Sequence, residues 1–205
     1  MIRVDIRRKA FGETEILRDI SFTVAPGSTV AILGASGIGK STLLNLVAGI
    51  DTDFTGQITR TERIAIVFQE PVLLPWRSVL QNITLVHEGL GAGAALDALA
   101  RVGIVDKAAL FPGQLSLGQQ RRVALARAFA GQPQLLIMDE PFASLDPATA
   151  DDMLLLTERL IAETGPATIF VTHARREAER LADQIYELGG SPATIVTSQP
   201  RKETP

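Results

Sequence analysis

The segment 34-GASGIGKST-42 constrains this chain more than any other part of it. It fits the pattern G-x-x-x-x-G-K-[ST] and stands between the apolar run 30-VAIL-33 and a helix-like stretch that ends before Gly49. A run that is apolar on both faces reads as a strand buried in a parallel sheet. Gly34, Gly37 and Gly39 allow a tight loop whose backbone N–H groups turn inward, toward phosphate oxygens. Ala35, Ser36 and Ile38 place their amides in the same loop, and Thr42 closes the motif. A helix opening near Lys40 adds its positive end. Lys40 can reach the β- and γ-phosphates of a nucleotide, and Ser41 can offer a hydroxyl to Mg²⁺, which prefers hard oxygen ligands. The competing reading is a chance glycine-rich turn. The strand before the loop and the helix after it weigh against chance.

The rest of the chain supplies the sheet such a loop needs. Ile2, Val4 and Ile6 alternate with polar residues, as do Ile20, Phe22 and Val24, so two half-buried strands are expected at the N-terminus, forming an antiparallel edge. Ile64 to Phe68, Leu135 to Met138 and Thr168 to Val171 read as buried strands; Ile185 to Leu188 and Ala193 to Val196 read as closing strands. Helix patterns cover 150–161 and 174–182. Strands alternating with helices imply a mostly parallel α/β sheet. Residues 72–127 differ in carrying only helix-like patterns, and they are read as a helical insert.

Two strand ends carry further chemistry. The strand 135-LLIM-138 leads into Asp139-Glu140-Pro141, at the end of a parallel strand where ligands bind. Asp139 can hold a Mg²⁺ shell beside Ser41, and Glu140 can orient and deprotonate an attacking water. The plainer reading of Asp-Glu-Pro is a capped turn. His173 follows 168-TIFV-171 and can contact a γ-phosphate while steadying Glu140; a capping or core His is the lesser alternative. His87 has no acidic or metal-like company and receives no role. Gln69 follows the strand ending at Phe68, and its amide oxygen can join a Mg²⁺ shell. Phe11, between the first two strands, can stack on a base, although a lone aromatic is more often core.

Composition narrows the remaining classes. The chain of 205 residues suits one domain, and 46% hydrophobic residues suffice for a core. A net charge of −3 does not suggest nucleic acid as a partner. No cysteine means no disulfide and no thiolate metal site. No apolar run reaches membrane-span length and the N-terminus lacks a signal-peptide core, so a soluble chain is expected, with any membrane role coming through a partner.

In this order the motifs resemble the ATP-binding subunits of ABC transporters: 34-GASGIGKST-42, Gln69, the signature segment 115-LSLGQ-119, 135-LLIMDEP-141, 144-SLD-146 and His173, with Phe11 as the adenine-stacking aromatic. The resemblance runs from Ile2 to about Val196. It implies a P-loop NTPase, RecA-like core (1–71 and 128–205) with an antiparallel β subdomain and an inserted helical subdomain (72–127), all within one ABC ATPase domain, 1–205. It implies ATP and Mg²⁺ as cofactors. It implies a head-to-tail homodimer in which Ser116, Gly118 and Gln119 of one subunit face the ATP on its partner, with Asp146 at the seam. The segment 68-FQEPVLLPWRSVLQNI-83 resembles the nitrate, sulfonate and taurine importer branch. That branch pairs such ATPases with integral-membrane permease subunits, fed by a periplasmic substrate-binding protein. A cytoplasmic chain, peripheral on the inner face of the cell membrane, is the resulting expectation. Leu74 and Trp76 are expected to be exposed for a permease contact, with a core Trp76 as the alternative. The short 51–63 stretch and the chain's end soon after the closing strands suggest a minimal cassette. Export, lipid handling or cell division, or a soluble nucleic-acid-linked ATPase, are rival functions within the family.

The signature departs from the family at Leu117, where Gly is usual. A backbone needing positive φ there would strain Leu. Ordinary helix-entry geometry would cost it little, and that is the expectation, with Gly118 the residue needed for close approach. In the following helix Val123, Leu125, Ala126 and Phe129 are expected to pack inward, and Arg121 and Arg122 to stay solvated.

Overall fold

The structure, a computed structural model, describes residues 1–200. β1 (Ile2–Phe11) and β2 (Thr14–Val24) form an antiparallel hairpin. After β3 (Thr29–Leu33) and α1 (Lys40–Ala48) the chain returns as β4 (Thr55–Thr59), which pairs with the other side of β1. These three strands make a sheet of their own, order β2-β1-β4. The antiparallel edge read from the strand pattern is therefore corrected to the separate antiparallel β subdomain that the family resemblance implied: the first strands satisfy their hydrogen bonds with each other and with β4. Their alternating apolar face, Ile2, Val4 and Ile6, is fully buried in the core they share with β3 and α1. Register slips in β1, between Ile6 and Arg8 against β4 and between Lys9 and Ala10 against β2, shift the alternation. Lys9 turns inward where period two would have placed Arg8.

A six-stranded sheet forms the second layer. β5 (Ile64–Val67), β6 (Leu135–Asp139), β7 (Ala167–Thr172), β8 (Gln184–Gly189) and β9 (Thr194–Pro200) combine with β3 in the order β5-β6-β7-β3-β8-β9. β6, β7, β3 and β8 run parallel, and β9 is the antiparallel edge. Every residue of β3 and β7 is buried, as expected for strands covered on both faces. The carboxyl ends of β6, β7 and β3 are thus neighbours.

Two compact units result. One contains Met1–Ile66, Gln134–Glu140 and residues 165–200, including a short helix between β7 and β8, Arg175–Leu181. The other contains Val67–Pro133 and Pro141–Thr164. It is built of α2 (Val79–Thr84), α3 (Ala92–Arg101), α4 (Leu117–Ala130) and α5 (Pro147–Thr164), with α4 packed against the other three. The insert read from sequence, 72–127, falls inside this unit, which also takes in α5. Among the described residues no helix is long and apolar enough to cross a membrane.

The β1–β4 pairing depends on Gly56, which has φ 141° and lies opposite Ile6. A Cβ there would sit 2.1 Å from the Asp5 carbonyl oxygen, so backbone would have to move. Gly56→Ala should lower stability by about 2–4 kcal/mol, read as a drop in the urea midpoint; an unchanged midpoint would show that β4 can detach freely.

Candidate nucleotide site

The first unit gathers the phosphate loop and the ends of β6 and β7. Gly39 is the N-cap of α1, with φ 110°, and being glycine it gives the helix no side-chain cap. A Cβ at Gly39 would lie 2.9 Å from both Ile16 and Leu17 of β2, so the loop and the hairpin are in close contact. The loop therefore presents an α-helix N-terminus without a side-chain acceptor of its own, an anion-binding arrangement.

Lys40 is 5% exposed, and its Nζ donates to the carbonyls of Gly34 at 2.9 Å and Ala35 at 3.1 Å. It also lies 3.4 Å from Glu140 Oε1. The other oxygen, Oε2, is 3.2 Å from His173 Nδ1. Glu140 has φ 43°, a left-handed conformation uncommon for Glu, and its N–H donates to Val171 O at 3.1 Å. That bend at the end of β6 turns the carboxylate toward Lys40 and His173.

Asp139 hydrogen-bonds the Ser41 hydroxyl. Burial holds its carboxyl above the usual range, and the Ser41 bond and nearby Lys40 only partly offset this. A half-buried carboxylate beside a hydroxyl is the oxygen donor pair that suits Mg²⁺, and an added cation would relieve its desolvation. Among the described residues no three acidic or histidine side chains converge on a metal position. A cation on Asp139 and Ser41 would accordingly take further ligands from phosphate and water. Phe11 stands at the end of the hairpin, 55% exposed.

The remaining expected site residues lie in the second unit. Ser116 caps α4: its Oγ accepts from the Gln119 N–H at 3.3 Å, and Gln119 Oε1 accepts from the Ser116 N–H at 3.0 Å. The plain reading of a capped helix is thus realised, and the Ser116 hydroxyl proton remains available to a ligand. Leu117 is the first helical residue and has no positive φ, so the ordinary entry geometry expected for it holds. Gly118 needs to be small: a Cβ would lie 2.9 Å from Thr149. Asp146 accepts from the Thr149 N–H at 3.1 Å, which caps α5, and its bonds with the Thr149 side chain first and then that N–H hold its carboxyl below the usual range. The signature and the Asp146 loop therefore meet at Thr149. Gln69, Leu117 and Ser144 line one open cleft of about 580 Å³ in this unit.

Two expectations are corrected. Arg121 is 6% exposed rather than solvated, and it donates to Pro141 O at 2.6 Å and Ala143 O at 2.5 Å. Arg122 is half-buried and donates to Val102 O at 2.8 Å. The loop after Glu140 turns its carbonyls toward α4, and a guanidinium fork satisfies two at once. The signal was present: Arg121 precedes the buried Leu125 and Ala128 by four and seven, on the interior stripe. Leu74 is half-buried instead of exposed, whereas Trp76 is 68% exposed and is not core. Asn82, which sequence reasoning passed over, is buried and bonds Leu74, Arg77 and Ser78, fixing the loop that carries Trp76. His87 bonds Arg127 O at 2.6 Å, a packing role.

The ABC transporter domain family matches residues 17–143, more than half of the chain. The chain belongs to the ABC transporter family. It is 41% identical over 219 aligned positions to an aliphatic sulfonates import ATP-binding protein, SsuB 1, of Xanthomonas axonopodis, covering 100% of this chain and 86% of that protein. It is 44% identical over 198 positions to SsuB of Granulibacter bethesdensis, covering 95% and 83%. Its fold matches the ATP-binding cassette MJ0796, solved as a dimer in a post-hydrolysis state with ADP and Pi, at TM-score 0.84 and 26% identity over 100% of both chains. This cassette is an ATP-binding, ATP-hydrolysing subunit of an ABC transporter that works with Mg²⁺.

Arg121→Met removes both donors to the 141–143 loop. It should lower stability by about 1–3 kcal/mol in urea unfolding, because buried carbonyls lose their partners; a neutral result would mean that water replaces the guanidinium.

Proposed function

We propose that this cassette powers import of small organic anions of the aliphatic sulfonate type, hydrolysing ATP at two composite sites of a homodimer. The observation that carries the catalytic part is Glu140, bent out of β6 and within 3.4 Å of Lys40 and 3.2 Å of His173. The substrate class rests on relatives named for aliphatic sulfonate import that are 41–44% identical. Cassette dimerisation and association with membrane permease components go with such a subunit.

In this reading the amides of the loop from Gly34 to Thr42 hold the phosphates, and Lys40 leaves its loop carbonyls to neutralise the β- and γ-oxygens. Phosphoryl transfer needs positioning and charge neutralisation more than covalent chemistry. Glu140 orients the attacking water and takes its proton, while His173 steadies that carboxylate and faces the γ-phosphate. Asp139 and Ser41 would hold Mg²⁺, which would supply neutralising charge to the phosphates. Phe11 stacks on the adenine. Ser116, Gly118 and Gln119 of each subunit complete the partner's site, with Asp146 along the seam. The exposed Trp76 suits a permease contact on the cytoplasmic face of the membrane, and a periplasmic binding protein would deliver the anion.

Glu140→Gln should keep ATP binding and lower turnover about a hundredfold or more, with a dimer that persists in ATP on gel filtration. Wild-type turnover would remove Glu140 as the base. Separately, cells lacking this subunit should lose uptake of a radiolabelled alkanesulfonate and regain it on complementation. Unchanged uptake would refute the substrate class and leave the ATPase chemistry standing.

A further inference from the structure

One buried cation has no part in the catalytic reading. Lys9 is 2% exposed, and its Nζ lies 4.5 Å from the centroid of the Phe11 ring. It donates to the Asp53 carbonyl at 2.7 Å and pairs with Asp51 at 2.8 Å and Asp53 at 3.5 Å. The hydrogen bond with Asp51 leads the causes that hold its pKa above the usual lysine range, so the ammonium stays charged. Asp51 and Asp53 follow directly on the αL cap of α1 at Gly49, so Lys9 ties the aromatic at the hairpin end to the far end of the phosphate-loop helix.

The placement suits one nucleotide. Ile16 and Leu17 abut the loop at Gly39, and Phe11 pairs with Thr14, two residues before Ile16. Two strand residues span about 7 Å, which leaves room for a sugar between a stacked base and the loop. Lys9 covers one face of the ring, yet Phe11 is 55% exposed, so the uncovered face is the one open to a base.

We propose that Lys9 is a specificity-determining positioning residue, which locks Phe11 as a one-sided platform biased toward purines. A cation over one face of a ring draws electron density toward itself. The opposite face becomes less negative and better suited to an electron-rich, extended purine than to a smaller pyrimidine. The proposal rests on the reading of Phe11 as the base-stacking residue.

Steady-state ATPase and CTPase kinetics on the purified protein test it, with Phe11→Ala, Lys9→Met, Lys9→Arg and the double variant. Lys9→Met should raise the KM for ATP about fivefold, keep kcat within about twofold, and narrow the ATP-over-CTP preference. Lys9→Arg should restore most of the preference, and Lys9→Met should add nothing in the Phe11→Ala background. If Lys9→Met does not fold, Asp51→Asn, which loosens the ammonium without removing it, should shift KM the same way. Phe11→Ala with a raised KM but Lys9→Met or Asp51→Asn without effect would overturn the Lys9 proposal alone. Phe11→Ala without effect on KM would overturn the stacking reading and the proposal with it, while the Glu140→Gln result would still report on the hydrolysis site.

Discussion

The buried ammonium of Lys40 ties three chain segments to one point. A lysine that is 5% exposed needs acceptors and a counter-charge, and it finds them in the Gly34 and Ala35 carbonyls and the Glu140 carboxylate. Glu140 reaches it only because the chain bends at φ 43° where β6 ends, with the Glu140 N–H still bonded to β7 at Val171. His173, one residue past β7, closes the arrangement from the other side. The turn that carries it is set from within: Thr172, 1% exposed, donates to Glu177 and accepts from the Ala174 N–H at 3.0 Å. The parallel order β6-β7-β3 is what makes these three strand ends neighbours, so sheet topology and site geometry are one constraint.

In the second unit, α4 takes the organising role through its arginines. Arg121 holds the 141–143 loop, Arg122 holds Val102, and Arg127 donates to Pro71 O at 2.9 Å and Val72 O at 2.8 Å. Val72 has φ 44°, which is costly for a β-branched residue, and the Arg127 fork lies on its carbonyl and the one before it. The stretch just after Gln69, the loop running to Asp146 and the Ser116 cap are therefore all referenced to a single helix. Guanidinium donors to backbone carbonyls keep such loops in place without needing acidic partners.

What was legible in the sequence follows from how local each signal is. A glycine loop between strand and helix, an acidic pair at a strand end and a capping Ser before a helix are each written in a few adjacent residues. The joining of Lys40, Ser41, Asp139, Glu140 and His173 came from such signals, the α/β class from the alternation of strands and helices, and the subdomain architecture from the family resemblance. The inward turn of Lys9 did not, because it follows from two register slips that only the pairing of β1 with β2 and β4 reveals. The burial of Arg121 escaped for a related reason: its acceptors lie 20 and 22 residues away, and carbonyls carry no side-chain signature. The separate N-terminal sheet was implied by the family resemblance and not by the strand pattern, because it depends on β4, a five-residue strand with weak apolar alternation.

Leu117 shows how far a motif departure can be reduced to geometry. The backbone there is ordinary first-turn helix, so no glycine is required for φ. The steric requirement sits one residue on, at Gly118, against Thr149 on the helix that Asp146 caps. Leu117 itself is 42% exposed and borders the cleft with Gln69 and Ser144. Its isobutyl group therefore changes the lining of that cleft and leaves the Ser116–Gln119 capping box intact. The form of the segment resides in the Ser116 cap, the small Gly118 and the helix N-terminus, and the bulky residue at 117 alters none of the three.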